Sequence, residues 1–159
     1  LFQSSVYKGS LSEQYDTLLT QLKGLLHDED DLIANLSNAS ALLNQFLSEV
    51  NWVGFYLWKN DELVLGPFQG MPACVRIQKG RGVCGTSAEK REVIRVEDVH
   101  AFPGHIACDA ASQSEIVLPL VKDGELLGLL DIDSPVKGRF SEEDERELKR
   151  FTDVLVENL

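Results

Sequence analysis

Apolar residues recur three and four apart between Ser12 and Leu26, where Tyr15, Leu18, Leu19, Leu22, Leu25 and Leu26 share one face of a helix. A second stripe, Leu32, Ile33, Leu36, Ala39, Leu43, Phe46, Leu47 and Val50, predicts a helix over 32–50. Asp28, Glu29, Asp30 and Asp31 precede it, where the partial positive charge of a helix N-terminus favours acids. A third helix closes the chain. Ser141 and Asp144 have the spacing of a capping box, and Leu148, Phe151, Val154 and Leu155 supply the apolar stripe.

Between these helices the pattern changes to short runs of aromatic and branched residues separated by turn residues, which predicts strands. Six are expected, at about 52–58, 63–68, 74–77, 93–96, 116–121 and 126–133. Asn60-Asp61 joins the first pair, and Asp123-Gly124 joins the last as a two-residue hairpin of the kind that tolerates positive φ, so both pairs should be antiparallel. Pro119 cannot donate a ladder hydrogen bond and must sit at an edge or a bulge. The sum is an α+β arrangement: a six-stranded antiparallel sheet flanked by helices. The one long connection, 97–114, exceeds a simple turn, and such loops often carry function.

With 159 residues and 43% hydrophobic composition, the chain fits one domain and can bury roughly two-thirds of its unfolded surface without help from a metal or disulfide. No run of eighteen apolar residues and no basic-then-apolar leader is present, so the expectation is a soluble, cytoplasmic protein. Residues 1–10 read as an N-terminal extension or an expression-vector remnant, because Leu1-Phe2-Gln3 resembles the tail of a protease recognition site; 11–159 read as a single domain. Twenty-six acids against fifteen bases give a net charge of -11. That charge repels nucleic acid and anionic lipid, so neither a nucleic-acid nor a membrane role is expected. Three cysteines allow at most one internal bridge, and a reducing compartment would keep them as thiols.

All three cysteines fall in the strand-rich region: Cys74 at a strand start, Cys84 in Gly80-Arg81-Gly82-Val83-Cys84-Gly85-Thr86, and Cys108 in the long loop, with His105 before it and Asp109 after. None lies on a helix stripe. The glycines around Cys84 allow a tight turn into a short helix whose N-terminal dipole would lower a thiol pKa. Two other readings stand beside a reactive one: buried structural thiols, and a zinc site of Cys74, Cys84, His105 and Cys108, for which the usual knuckle spacing is absent. Asp131 and Asp133 lie on one face of a strand. They form either a solvent-facing strand end or a cradle for an ammonium group, because a core-facing acid pair without a cation is costly. Trp52, Gly54 and Tyr56 share one face and Val53 and Phe55 the other. The aromatic rings are either core or pocket wall, and Gly54 between them leaves room for a small guest.

Five segments taken together, Asn51-Trp52-Val53-Gly54-Phe55-Tyr56, Leu65-Gly66-Pro67-Phe68-Gln69-Gly70, Gly82-Val83-Cys84-Gly85-Thr86, Gly104-His105-Ile106-Ala107-Cys108-Asp109-Ala110 and Leu130-Asp131-Ile132-Asp133-Ser134, closely resemble the free methionine-(R)-sulfoxide reductases, a GAF-fold family. The match runs from about Leu32 to the final helix. The resemblance implies a GAF domain over 11–159 and thiol-dependent reduction of free methionine-(R)-sulfoxide to methionine. It implies Cys108 as nucleophile, Cys74 as the resolving thiol that forms a disulfide with it, and Cys84 as an auxiliary thiol. Glu115, Asp131 and Asp133 would hold the substrate amino group and help protonate the sulfoxide oxygen, with Trp52 and Tyr56 lining the pocket for the sulfur and its methyl. No bound cofactor or metal is implied. Thioredoxin would be the external reductant, and a homodimer is an assembly the resemblance allows.

This assignment is chemically coherent. A thiolate that attacks a sulfoxide sulfur needs the oxygen to leave as water and so needs a proton donor nearby. Carboxyls held close raise one another's pKa, which keeps part of the group protonated near neutral pH. The sulfenic acid left on Cys108 would condense with a second thiol before over-oxidation, and an outside dithiol would then restore the enzyme. Because GAF folds also bind ligands without transforming them, a small-molecule or redox sensor is the alternative, with a metal-binding module third. Sensing usually requires an output domain, for which the chain offers no obvious space.

Overall fold

Caps written into the sequence start the main helices of the computed structural model, which describes residues 2–4, 6–106 and 108–159. Leu1, within the segment read as a protease-site tail, Ser5, and Ala107, within the motif around Cys108, lie outside the described residues. Helix α1 (Leu11–Leu26) begins at Ser10, whose side chain and that of Glu13 close a reciprocal capping box. Helix α2 (Leu32–Phe46) starts at Asp31, whose carboxylate accepts from the Ala34 N–H at 2.8 Å. Helix α4 (Glu142–Glu157) starts at the Ser141–Asp144 box that the spacing predicts. Helix α2 is four residues shorter than its apolar stripe. The backbone turns extended at Leu47 (φ -78°, ψ 131°), which ends the helical path, while Leu47 and Val50 still pack on the core.

Six strands, β1 (Trp52–Lys59), β2 (Glu62–Gly70), β3 (Arg76–Gln78), β4 (Ile94–Val96), β5 (Ser114–Lys122) and β6 (Glu125–Ser134), form one sheet in the order β3-β2-β1-β6-β5-β4, every pair antiparallel. Both short hairpins form as the turn residues require: Asn60, Asp61, Asp123 and Gly124 all have positive φ. Strand β3 begins two residues later than expected, so Cys74 precedes it. Helix α3 (Gly82–Lys90) is the short helix expected after the glycines, and it carries Cys84 inside its first turn. The long connection contains a 3₁₀ turn, Val99–Ala101, that the sequence pattern did not reveal.

Pro119 lies beyond the last β4 partner of β5, Val117, and beside a bulge. The ladder pairs Val121 with Leu126 but Leu120 with Gly128, so Leu127 is an extra residue on β6.

Alternation along β1 separates two cores rather than a core and a solvent face. Val53, Phe55 and Leu57, with Ile116, Leu118 and Leu120 of β5 and Leu130 and Ile132 of β6, pack under α1, α2 and α4. On the opposite face Trp52, Tyr56, Val117 and Leu129 pack with Val83, Cys84 and Ala88 of α3. At the N-terminal end Tyr7 lies edge-on to Phe46 at 4.6 Å between centroids and donates to Gln21 Oε1 at 2.6 Å. No helix among the described residues is long and apolar enough to cross a membrane.

Candidate active site

The α3 side of the sheet carries an acidic row set by strand register. Trp52 of β1 stands opposite Asp133 of β6, which stands opposite Glu115 of β5; one step along, Gly54, Asp131 and Val117 are aligned in the same way. Directly opposed residues share a face, so three carboxyls and two aromatic rings converge on one spot. The acids do not form a solvent-facing strand end: Asp131 is 5% and Glu115 7% exposed. No ion pair among the described residues reaches any of the three. Asp131 Oδ1 is buried without a hydrogen-bond partner.

Burial is the leading cause that raises all three carboxyl pKa values, and charge repulsion within the group adds to it for Glu115 and Asp133. The direction agrees with the expectation from sequence, but desolvation outranks like-charge repulsion. Cys84 departs from expectation. Its thiol is pushed well above the usual range, first by burial and then by Asp131, Glu115 and Asp133, and it donates to Glu115 Oε2 at 3.8 Å. The helix-dipole term that sequence suggested is overwhelmed, so Cys84 is a protonated thiol at neutral pH.

Trp52 and Tyr56 stack with centroids 5.9 Å apart, and Phe68 stacks on Trp52 at 5.1 Å. Trp52 Nε1 donates to the Met71 carbonyl at 3.1 Å, and the Tyr56 hydroxyl donates to the Cys74 carbonyl at 2.8 Å. The rings are thereby fixed, and the segment carrying Cys74 is tied to them. Gly54 leaves no room for a guest, contrary to expectation. A Cβ there would fall 2.8 Å from Trp52 Cη2 and would collide with Phe68, so the space above the glycine is already filled by these rings. Gly54→Ala is expected to destabilise the fold by about 1–3 kcal/mol, the usual cost of overpacking. At roughly 2–4 °C per kcal/mol for a chain of this size, thermal denaturation should register the change, and an unchanged melting temperature would contradict the packing described.

Cys74 and Cys108 are joined in a disulfide, with Cα atoms 5.5 Å apart and a sequence separation of 34. This differs from the resting thiols expected of a reducing compartment. It also removes two members of the Cys74, Cys84, His105 and Cys108 zinc set. Cys84, Glu115 and Asp131 do place ligand atoms within 4.8 Å of one another, a trio of cation-binding type.

One cavity gathers Trp52, Tyr56, Cys84, Cys108, Glu115, Asp131 and Asp133, seven of the eight site residues singled out from sequence. The eighth, Cys74, reaches it through its bond to Cys108. The cavity has a volume of about 40 Å³. Its wall also includes Arg81, Val83, Ile106, Asp109 and Ser112, to which sequence reasoning gave no binding role, and His105, which it considered only as a zinc ligand. Burial and nearby His100 lower the His105 pKa, opposed by Asp131, so its ring is neutral at neutral pH. Asn51 was missed as well. Its Nδ2 donates to Asp109 Oδ2 at 2.9 Å and Ser112 Oγ at 3.2 Å, and its backbone N–H donates to the Asp133 carbonyl at 2.9 Å. One residue, through its side chain and its backbone N–H, thus ties the Cys108 loop to the strand end that bears Asp133.

A six-stranded sheet with this site on its α3 face is the GAF architecture, and the chain belongs to the GAF domain family, whose model matches residues 11–158. The chain is 59% identical over 157 residues to protein YtsP of Bacillus subtilis strain 168, covering 98% of this chain and 96% of the relative. It is 56% identical over 140 residues to the free methionine-R-sulfoxide reductase of Escherichia coli strain K12, covering 88% of this chain and 85% of that one. The X-ray structure of free methionine-R-sulfoxide reductase from Neisseria meningitidis in complex with its substrate shares the fold with a TM-score of 0.92 at 42% identity, covering 99% of this chain and 95% of that one. Within the GAF domains, this chain is a member of the free methionine-R-sulfoxide reductase family, as the five sequence segments implied.

Proposed function

We propose that this chain reduces free L-methionine-(R)-S-oxide to L-methionine. The observation that carries the reading is the disulfide between Cys108, in the wall of the acidic cavity, and Cys74 at its side. Cys108 attacks the sulfoxide sulfur as a thiolate. A carboxyl of the Glu115, Asp131 and Asp133 group protonates the oxygen, methionine leaves, and Cys108 holds a sulfenic acid. Cys74 condenses with it, releasing water and forming the disulfide. Two electrons from an external dithiol, for which thioredoxin is suited, restore both thiols. No bound cofactor enters this balance.

The site suits an amino acid bearing both its charges. Buried acids without a cationic partner favour an ammonium group, which would satisfy Asp131 Oδ1. Helix α3 starts without a side-chain cap, and Gly82, Val83 and Cys84 of its first turn line the same cavity, so their N–H groups suit the carboxylate. Cys84, held as a thiol against Glu115, takes no part in the first step. Any auxiliary role requires it to leave that contact.

The test uses purified protein, a thioredoxin system and two substrates: the free (R)-sulfoxide and its N-acetyl amide, which mimics a residue in a chain. Loss of the ammonium leaves buried acids unpaired, so turnover of the blocked compound should fall at least about 100-fold. Comparable rates on both would refute the reading.

A further inference from the structure

Three of the large apolar side chains that the fold leaves in solvent lie next to the disulfide in sequence. Met71 (66% exposed) is three residues before Cys74, Val75 (60%) follows it, and Ile106 (40%) is two before Cys108. The backbone that carries Met71 and Val75 is fixed rather than loose: Met71 O accepts from Trp52 Nε1 at 3.1 Å, Cys74 O from the Tyr56 hydroxyl at 2.8 Å, and Val75 O from Leu65 N at 2.8 Å. That part of the apolar rim is therefore tied to the sheet. Charge there runs against the rest of the chain. In a protein of net charge -11, the segment from Met71 to Arg81 contains Arg76, Lys79 and Arg81 and no acid. Arg76 is paired with Glu62 at 2.5 Å, while Lys79 and Arg81 have no ion pair among the described residues.

From this we infer that the Met71–Val75–Ile106 rim, with Lys79 and Arg81 beside it, is the docking surface for the protein that reduces the Cys74–Cys108 disulfide. Its occupant is an acidic dithiol protein that carries its reactive cysteine within an apolar rim of its own. The inference rests on the redox cycle proposed above. In the docked complex the partner's thiolate attacks one sulfur of the disulfide, forming a mixed disulfide and freeing the other cysteine as a thiol. The partner's second thiol then displaces the enzyme sulfur, so the partner leaves oxidised and both enzyme cysteines are reduced. A second copy of this chain could only exchange electrons between identical thiol pairs with no net reduction, whereas a distinct dithiol protein supplies the two electrons the disulfide needs. Lys79 and Arg81 favour one that is acidic, and the apolar rim then holds it.

The test compares thioredoxin with dithiothreitol as reductant for wild type, a Met71→Asp/Val75→Asp double variant, and Lys79→Glu. All three positions lie outside the cavity wall. The double variant should lose about tenfold or more in kcat/KM for thioredoxin, the effect of removing an apolar anchor pair. Its dithiothreitol-driven rate and melting temperature should stay at wild-type values. Lys79→Glu should lower the thioredoxin kcat/KM and flatten its fall with salt. Wild-type thioredoxin kinetics in both variants would overturn the docking surface while leaving the catalytic cycle intact, as would equal losses with both reductants. Failure of the wild-type protein to reduce the sulfoxide with either reductant would overturn the cycle and the docking surface together.

Discussion

Cys108→Ser is expected to leave the pre-reduced protein without a first turnover, a loss of at least about 10³-fold, because no other sulfur can replace the attacking thiolate. Cys84 is the other sulfur in the cavity wall, but burial and three carboxyls hold it protonated, and Cys74 lies outside that wall. Cys74→Ser should behave differently. Serine cannot condense with a sulfenic acid to give a disulfide, so each protein molecule would release one methionine and then stall with Cys108 oxidised. The two outcomes separate in a single-turnover experiment with rapid quench, amino-acid analysis of released methionine and mass measurement of the stalled protein. Equal loss of the first methionine in both variants would remove the division of labour between the sulfurs.

Asp131→Asn should weaken substrate binding and strengthen the fold. An ammonium group that loses its buried charge partner typically costs about 3–5 kcal/mol, so KM should rise at least about 100-fold. The stability effect follows from proton linkage. Asp131 is raised in the native state, first by burial. In the unfolded chain an aspartate titrates near pH 3.9, roughly. Between that value and its native one, the folded protein holds more protons than the unfolded one, so stability falls as pH rises through this window. Stability contributed by this group is complete below about pH 4 and is lost as it ionises in place. Asparagine cannot ionise. The variant should therefore melt above wild type at pH 8, with the gap narrowing toward pH 5, in scans of melting temperature against pH. A variant that melts below wild type at every pH would show the carboxylate to be a net stabiliser and would sink the linkage.

What the sequence made legible was local. Caps at Asp31 and Ser141 and the positive-φ pairs Asn60-Asp61 and Asp123-Gly124 act within a few residues, and all produced the elements they predict. The segments around the three cysteines and the Asp131-Ile132-Asp133 run were enough to place the chain in its family. Long-range packing was less legible. Whether a helix start would acidify Cys84 depended on what β5 and β6 brought against it, and they brought Glu115 and Asp131. Gly54 looked like open space because no sequence rule places Phe68 above it. Asn51 carried one signal, a short polar side chain immediately before a strand. Its partners Asp109 and Ser112 lie more than fifty positions away and are joined only by folding.

The two-residue Asp123-Gly124 turn, counted outward without interruption, would set Glu115 against Ile132 rather than Asp133. Leu127 supplies the missing step. A strand slipped by a single position shows its other face, so if Leu127 were drawn into the ladder as an ordinary pair, Glu115 could not share a face with Asp131 and Asp133. An apolar residue four positions from the nearer aspartate thus sets the phase of the catalytic chemistry: the acids meet only while Leu127 stays outside the pairing, and deleting it, which closes the ladder, would leave Glu115 opposite Asp133.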